Sequence, residues 1–105
     1  MLTFNLKKEW FEKIKSGEKT HEYRVMSEYW KKRIYNATKG DYCFSLKCKF
    51  ACGYPKADEK EKWLTADIIQ ITQNVWGQDT DLKIDEPVFD IEFELINEVE
   101  YEKNM

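Results

Sequence analysis

The sequence predicts a small α+β fold, mainly β: a curved, largely antiparallel sheet or barrel of five or six strands, with two helices in the N-terminal half laid across one opening. Three observations carry that expectation. The chain opens on a short alternating run, Leu2, Phe4 and Leu6 against Thr3 and Asn5. Apolar residues at helical spacing occur only early, between residues 8 and 35. The remainder holds three strand-like runs, the last of which is the cleanest alternation in the chain.

Each element follows from local chemistry. Residues 2–6 read as a strand. Lys8 to Ser16 reads as a helix, with Trp10, Phe11 and Ile14 on one face and Glu9, Glu12, Lys13 and Lys15 toward water. Gly17 is placed to end it, because glycine adopts the left-handed cap conformation without a Cβ penalty. Thr20 to Val25 is β-like, and Ser27 can cap a second helix, about Glu28 to Tyr35, whose Tyr29, Trp30, Arg33 and Ile34 share one side. Lys39-Gly40-Asp41 marks a turn. Tyr42, Phe44, Leu46, Cys48 and Phe50 then alternate with Cys43, Ser45, Lys47 and Lys49, the pattern of a half-buried strand. Ala51 to Lys62 reads as an exposed loop. Trp63 to Gln73 reads as a strand whose apolar parity switches at Ile68-Ile69, which calls for a bulge or for burial on both faces. Asn74 to Pro87 reads mostly as loop. Phe89, Ile91, Phe93 and Leu95 point inward on the last strand, with Asp90, Glu92 and Glu94 outward, and the acidic tail after Asn97 is expected to fray.

Length and composition bound the class of protein. A chain of 105 residues fits one domain, and its sixteen aromatics supply large core side chains. No stretch approaches the roughly 18 consecutive apolar residues of a membrane span. The first residues lack the pattern of a signal peptide, so a cytoplasmic protein without a membrane partner is expected. Cys43, Cys48 and Cys52 make an odd count at spacings unlike paired zinc ligands, even with His21 as a fourth; reduced thiols are expected, with no metal and no cofactor. Net charge is −3, yet it is unevenly distributed: residues 1–40 hold ten Lys/Arg against five Asp/Glu, and residues 41–105 hold seven against fifteen. A local basic surface on an acidic protein follows.

The densest chemistry lies in Gly17-Glu18-Lys19-Thr20-His21-Glu22-Tyr23-Arg24. On a strand, Thr20, Glu22 and Arg24 share one face and His21, Tyr23 and Val25 the other. If the second face packs on the core, the first presents a carboxylate beside a guanidinium, joined by charge-assisted hydrogen bonds that fix both rotamers. Lys19 has the opposite parity and joins the same pocket only from the turn before the strand or through a bulge. His21, the one histidine, points away from Glu22 and reads as structural.

The pattern Trp10-Phe11-x-x-Ile14-x-x-Gly17-x-Lys19-Thr20-x-Glu22-x-Arg24 resembles the signature of the ASCH domain family, G-x-K-x-x-E-x-R. Tyr29-Trp30 and Arg33 downstream, Gly40-Asp41 before a strand, Gly53-Tyr54 in a loop and the closing Val88-Phe89-x-Ile91-x-Phe93 strand extend the resemblance over most of the chain. It implies a PUA-like β-barrel with a cleft beside the motif, binding single-stranded RNA or a nucleotide-like small molecule. Lys19, Thr20, Glu22, Arg24, Trp30, Arg33 and Tyr54 are the candidate ligand-binding residues. Lys19 and Arg24 would meet phosphate or base edges, Trp30, Tyr23 and Tyr54 are candidates for stacking, and Lys47 and Lys49 for a phosphate track. Some relatives are hydrolases. Small bacterial acetylcytidine amidohydrolases resemble the family and use a lysine, a threonine nucleophile three residues later and a distant glutamate. Lys19 matches the lysine, but Glu22 stands at the threonine position, which moves the balance from amidohydrolase toward binding. If the protein is an enzyme, Lys19 and Glu22 are the candidate catalytic pair, able to support acid–base cleavage of RNA.

Overall fold

The computed structural model describes residues 1–41 and 46–96. The first part of the run from Tyr42, with Cys43 and Phe44, and the tail after Asn97 lie outside the described residues. The elements follow in the order β1 (Leu2–Leu6), α1 (Lys8–Lys15), β2 (His21–Val25), α2 (Glu28–Thr38), β3 (Leu46–Cys52), β4 (Trp63–Trp76) and β5 (Pro87–Leu95), with short 3-10 turns at Lys60–Lys62 and Gly77–Asp79. The five strands form one curled mixed sheet, a half-barrel, in the order β1-β3-β4-β5-β2. Only β1 and β3 are parallel; β3–β4, β4–β5 and β5–β2 are antiparallel. This is the α+β class expected, with both helices in the N-terminal half.

Period-2 patterning selects the concave face. Phe4, Cys48, Phe50, Ile68, Ile91 and Phe93 project into one apolar cluster, which Phe11 and Ile14 of α1 and Ile34 of α2 cover from the open side. The β3 alternation runs as read, with Lys47 and Lys49 exposed between buried Cys48 and Phe50. Desolvation pushes the Cys48 thiol up to about 12, with the Asp67 and Glu22 carboxylates adding to the effect. The bulge expected at Ile68-Ile69 is present: the β4–β5 register shifts between Ile68 and Gln70, turning Ile69 outward and Ile71 inward.

Three boundaries differ from the sequence reading. β3 continues to Cys52, with Ala51 fully buried, because Leu6 and Cys52 remain paired across β1 and β3. α2 runs three residues past Tyr35; the Thr38 hydroxyl donates to the Ile34 carbonyl at 2.8 Å, and Lys39 ends the helix in the left-handed region. β4 does not stop at Gln73. A second register shift between Thr72 and Val75, with Asn74 at φ 61°, absorbs extra residues, and Val75 then pairs with Val88.

Among the described residues no ladder joins β1 to β2, and a seam lies between these two edge strands. The charged segment lines that seam.

Candidate functional site

α1 and its exit place Lys19. The helix ends on Gly17 at φ 84°, as expected for a left-handed cap, and the Lys19 amide donates back to the Lys13 carbonyl at 3.0 Å. Lys19 therefore precedes β2, the geometry that lets it share a pocket with Glu22 despite its parity. β2 turns Glu22 and Arg24 toward the interior, while His21 and Tyr23 take the other side of the strand. The inward face is thus the charged one, against the alternative in which His21, Tyr23 and Val25 pack on the core. It is tolerated because the charges are mutually paired and lie on aromatic rings.

Glu22 is only 6% exposed. One carboxylate oxygen accepts from Arg24 Nη2 at 2.6 Å; the other lies 3.5 Å from Lys19 Nζ and accepts from the Tyr23 amide at 3.3 Å. Arg24 Nη2 also reaches across the seam to the Asn5 carbonyl at 3.3 Å. The Arg24 guanidinium lies 5.0 Å from the Trp30 ring centre and 5.3 Å from that of Phe4, and these two rings stack on each other. Its Nε is buried with no acceptor among the described residues. Lys19 Nζ stands 5.0 Å from the Tyr23 ring centre and 5.3 Å from that of Trp10, and forms an ion pair with Asp81.

These groups surround a cleft of about 460 Å³ at the seam, walled by Asn5, Leu6 and Lys7 of β1 and its exit, Trp10 of α1, Glu22 to Val25 of β2, Trp30 of α2, and Asp81 and Leu82. A smaller hollow of about 300 Å³ adjoins it on the outer side of Lys19, where Lys13, Thr20 and His21 join the lining. Burial first, then the carboxylates of Asp90, Asp81 and Glu22, raise the Tyr23 phenol above its ordinary range, so it is a neutral hydroxyl at physiological pH.

Of the residues singled out from sequence, Lys19, Glu22, Arg24 and Trp30 meet in the cleft. Tyr23 lines it as well. Thr20 is exposed and borders only the smaller hollow; its carbonyl is held by the Phe93 amide at 3.1 Å. Arg33 is absent from the lining and stacks against Tyr29 and Trp30 from α2. Tyr54 is 91% exposed and outside the lining, although its neighbour Gly53 is tied to β1 through Leu6 and Asn5. Lys47 and Lys49 also stand away from it, beside Asp67 and Trp63. His21 bonds Asp90 at 2.7 Å through Nδ1, with Glu92 4.0 Å from Nε2. It lies on the side of β2 away from Glu22, as its parity requires.

Sequence reasoning missed Asp81 and Trp10 as cleft residues. Trp10 read as a core residue of α1, and in the structure it is half-buried at the cleft wall. Asp81 comes from a loop 62 positions beyond Lys19 and carried none. That loop is built firmly. Thr80 is buried, its hydroxyl donating to the Gly77 carbonyl at 2.8 Å and accepting from the Leu82 amide at 3.2 Å. Gly77 fills the neck, where a Cβ would sit 2.5 Å from the Ile84 carbonyl oxygen.

No family model, curated protein or solved structure matches this chain. Among the described residues, no helix is long and apolar enough to cross a membrane, and no three His, Cys, Asp or Glu side chains converge to hold a metal ion.

Proposed function

We propose that this chain is a PUA-like, ASCH-type binding protein of the cytoplasm whose seam cleft takes single-stranded RNA or a nucleotide-like small molecule. One observation carries the reading: Lys19, Glu22 and Arg24 converge on a single cleft that Trp10, Tyr23 and Trp30 also line. Nucleobases are recognised by this combination, a ring to stack on and fixed donors and acceptors at the ring edge. The buried Arg24 Nε–H, which has no acceptor among the described residues, adds a donor beside the cleft. Lys7, Lys8 and Lys13 are exposed on α1 and its approach, where a nucleic-acid backbone could lie.

Fluorescence-anisotropy titration with short single-stranded RNAs at two salt concentrations tests it. Affinity is expected to fall as salt rises, and Lys19→Ala is expected to weaken binding by about tenfold, the scale of one charge-assisted hydrogen bond. RNA binding that is undetectable at low salt, or that ignores Lys19→Ala, would end the RNA reading.

The 3.5 Å approach of Lys19 to Glu22 favours a second reading, a small hydrolase of RNA or of a modified nucleoside. Thr20, outside the main cleft, is poorly placed as a nucleophile there. Incubation with RNA and with acetylated cytidine discriminates the two: turnover abolished by Glu22→Gln supports the hydrolase, and turnover that persists in both Glu22→Gln and Lys19→Ala belongs to a contaminant.

A further inference from the structure

We infer that Asp81 is the specificity-determining residue of the cleft: it occupies the anion seat at Lys19, so that the cleft admits the uncharged base of a nucleotide and turns away its phosphate. This rests on the nucleotide reading and narrows it to a part of the ligand.

Every cation inside the cleft already has a carboxylate. Arg24 is held by Glu22 at 2.6 Å, and Lys19 lies between Glu22 and Asp81. These four groups cancel, and the one other charged lining residue, Lys7, is exposed at the rim. Past Lys7 at the rim, an entering phosphate would find no cation without a carboxylate among the described residues and would meet the negative charge of two carboxylates in a site of reduced dielectric. A neutral ring with donors and acceptors at its edge meets no such penalty and gains the aromatic wall.

Glu22 and Asp81 are not equivalent. Glu22 is buried and belongs to the framework, whereas the Asp81 side chain is 41% exposed and reaches Lys19 from a separate loop. Asp81 is therefore the carboxylate that can be removed without leaving a buried cation alone, since Lys19 keeps Glu22. Its position is also specified. Buried Thr80, immediately before it, is bonded to Gly77 and Leu82, and the Gly77 amide donates to the Glu86 carbonyl at 2.9 Å across the loop neck.

The test compares wild type, Asp81→Asn and Asp79→Asn, the last removing the same charge from an exposed position in the same loop. Chemical-shift titrations run into the millimolar range with cytidine, uridine, adenosine, guanosine and their 5′-monophosphates. For wild type, the preferred nucleoside is expected to bind at least as tightly as its monophosphate. Asp81→Asn is expected to shift that ratio toward the monophosphate by about fivefold or more, the scale of one partly screened charge, with Asp79→Asn leaving it unchanged. A wild-type preference for the monophosphate, or a ratio moved equally by both variants or by neither, overturns the role of Asp81 and leaves the nucleotide reading standing. Failure of all eight probes to bind any of the three proteins overturns both.

Discussion

Two faces of the same five-residue strand treat charge in opposite ways. On the inner face of β2, Glu22 is buried, and its oxygens are taken up by Arg24, Lys19 and a backbone amide. On the outer face, His21 and Asp90 form an equally short contact, 2.7 Å, but their side chains are 37% and 22% exposed. Distance alone would rank the two pairs alike. Solvent separates them. The inner carboxylate, its side chain 8% exposed, has surrendered its hydration and depends on its partners, whereas both members of the outer pair can exchange a partner for water at small cost.

The largest expected effect breaks the inner face. Arg24→Ala leaves a buried carboxylate with only Lys19, at 3.5 Å, as a cationic neighbour, and should destabilise the protein by about 4 kcal/mol in urea unfolding. Replacing the pair together, Glu22→Leu with Arg24→Met, should recover most of that loss, because no charge is then stranded. A double variant as unstable as Arg24→Ala would show that the guanidinium acts through its ring contacts instead.

Cys48, on the concave face of β3, extends the comparison to pH. Its folded pKa of about 12 lies above the ordinary thiol value of 9.0. The folded state therefore retains its proton when the unfolded chain has lost it. The stability tied to this thiol is complete below pH 9 and declines as pH rises toward 12, by about 2 kcal/mol at roughly pH 10.5. The measurement is the difference in alkaline slope of unfolding free energy between wild type and Cys48→Ala; equal slopes would refute the burial argument.

The smallest effect belongs to the outer face. His21→Ala should cost under about 1 kcal/mol, as partly solvated hydrogen bonds do. A cost matching Arg24→Ala would erase the distinction between the two faces.

Much of this fold was legible because local rules act on short stretches. Gly17 ends α1 and Ser27 accepts from the Trp30 amide at 3.3 Å, as the cap residues require. The parity break at Ile68-Ile69 marked a real bulge, and the final strand kept its alternation. Boundaries failed where pairing overrode composition. Asn74 resembles a strand end, yet it takes a left-handed turn within a bulge and the ladder resumes at Val75. The meeting of Lys19, Glu22 and Arg24 was half legible, since spacing placed two on one face and left Lys19 conditional on where β2 began. Which face turned inward was not legible from β2 alone, because the platform that accepts Arg24 is supplied by Phe4 and Trp30. Asp81 was not legible at all; nothing local to residue 81 encodes the lysine it meets.

The open seam has a consequence for how copies of this chain behave when crowded. Among the described residues the half-barrel ends in two unpaired strand edges, and such edges invite pairing with any extended chain nearby. Here the Arg24 guanidinium sits between them and holds the Asn5 carbonyl, an edge acceptor that a foreign strand would need. It is also a bulky, charged obstruction in the track such a strand would follow. The side chain that furnishes the cleft thus doubles as a guard against fibre-like stacking, and a variant lacking it should be watched for precipitation as well as for lost stability.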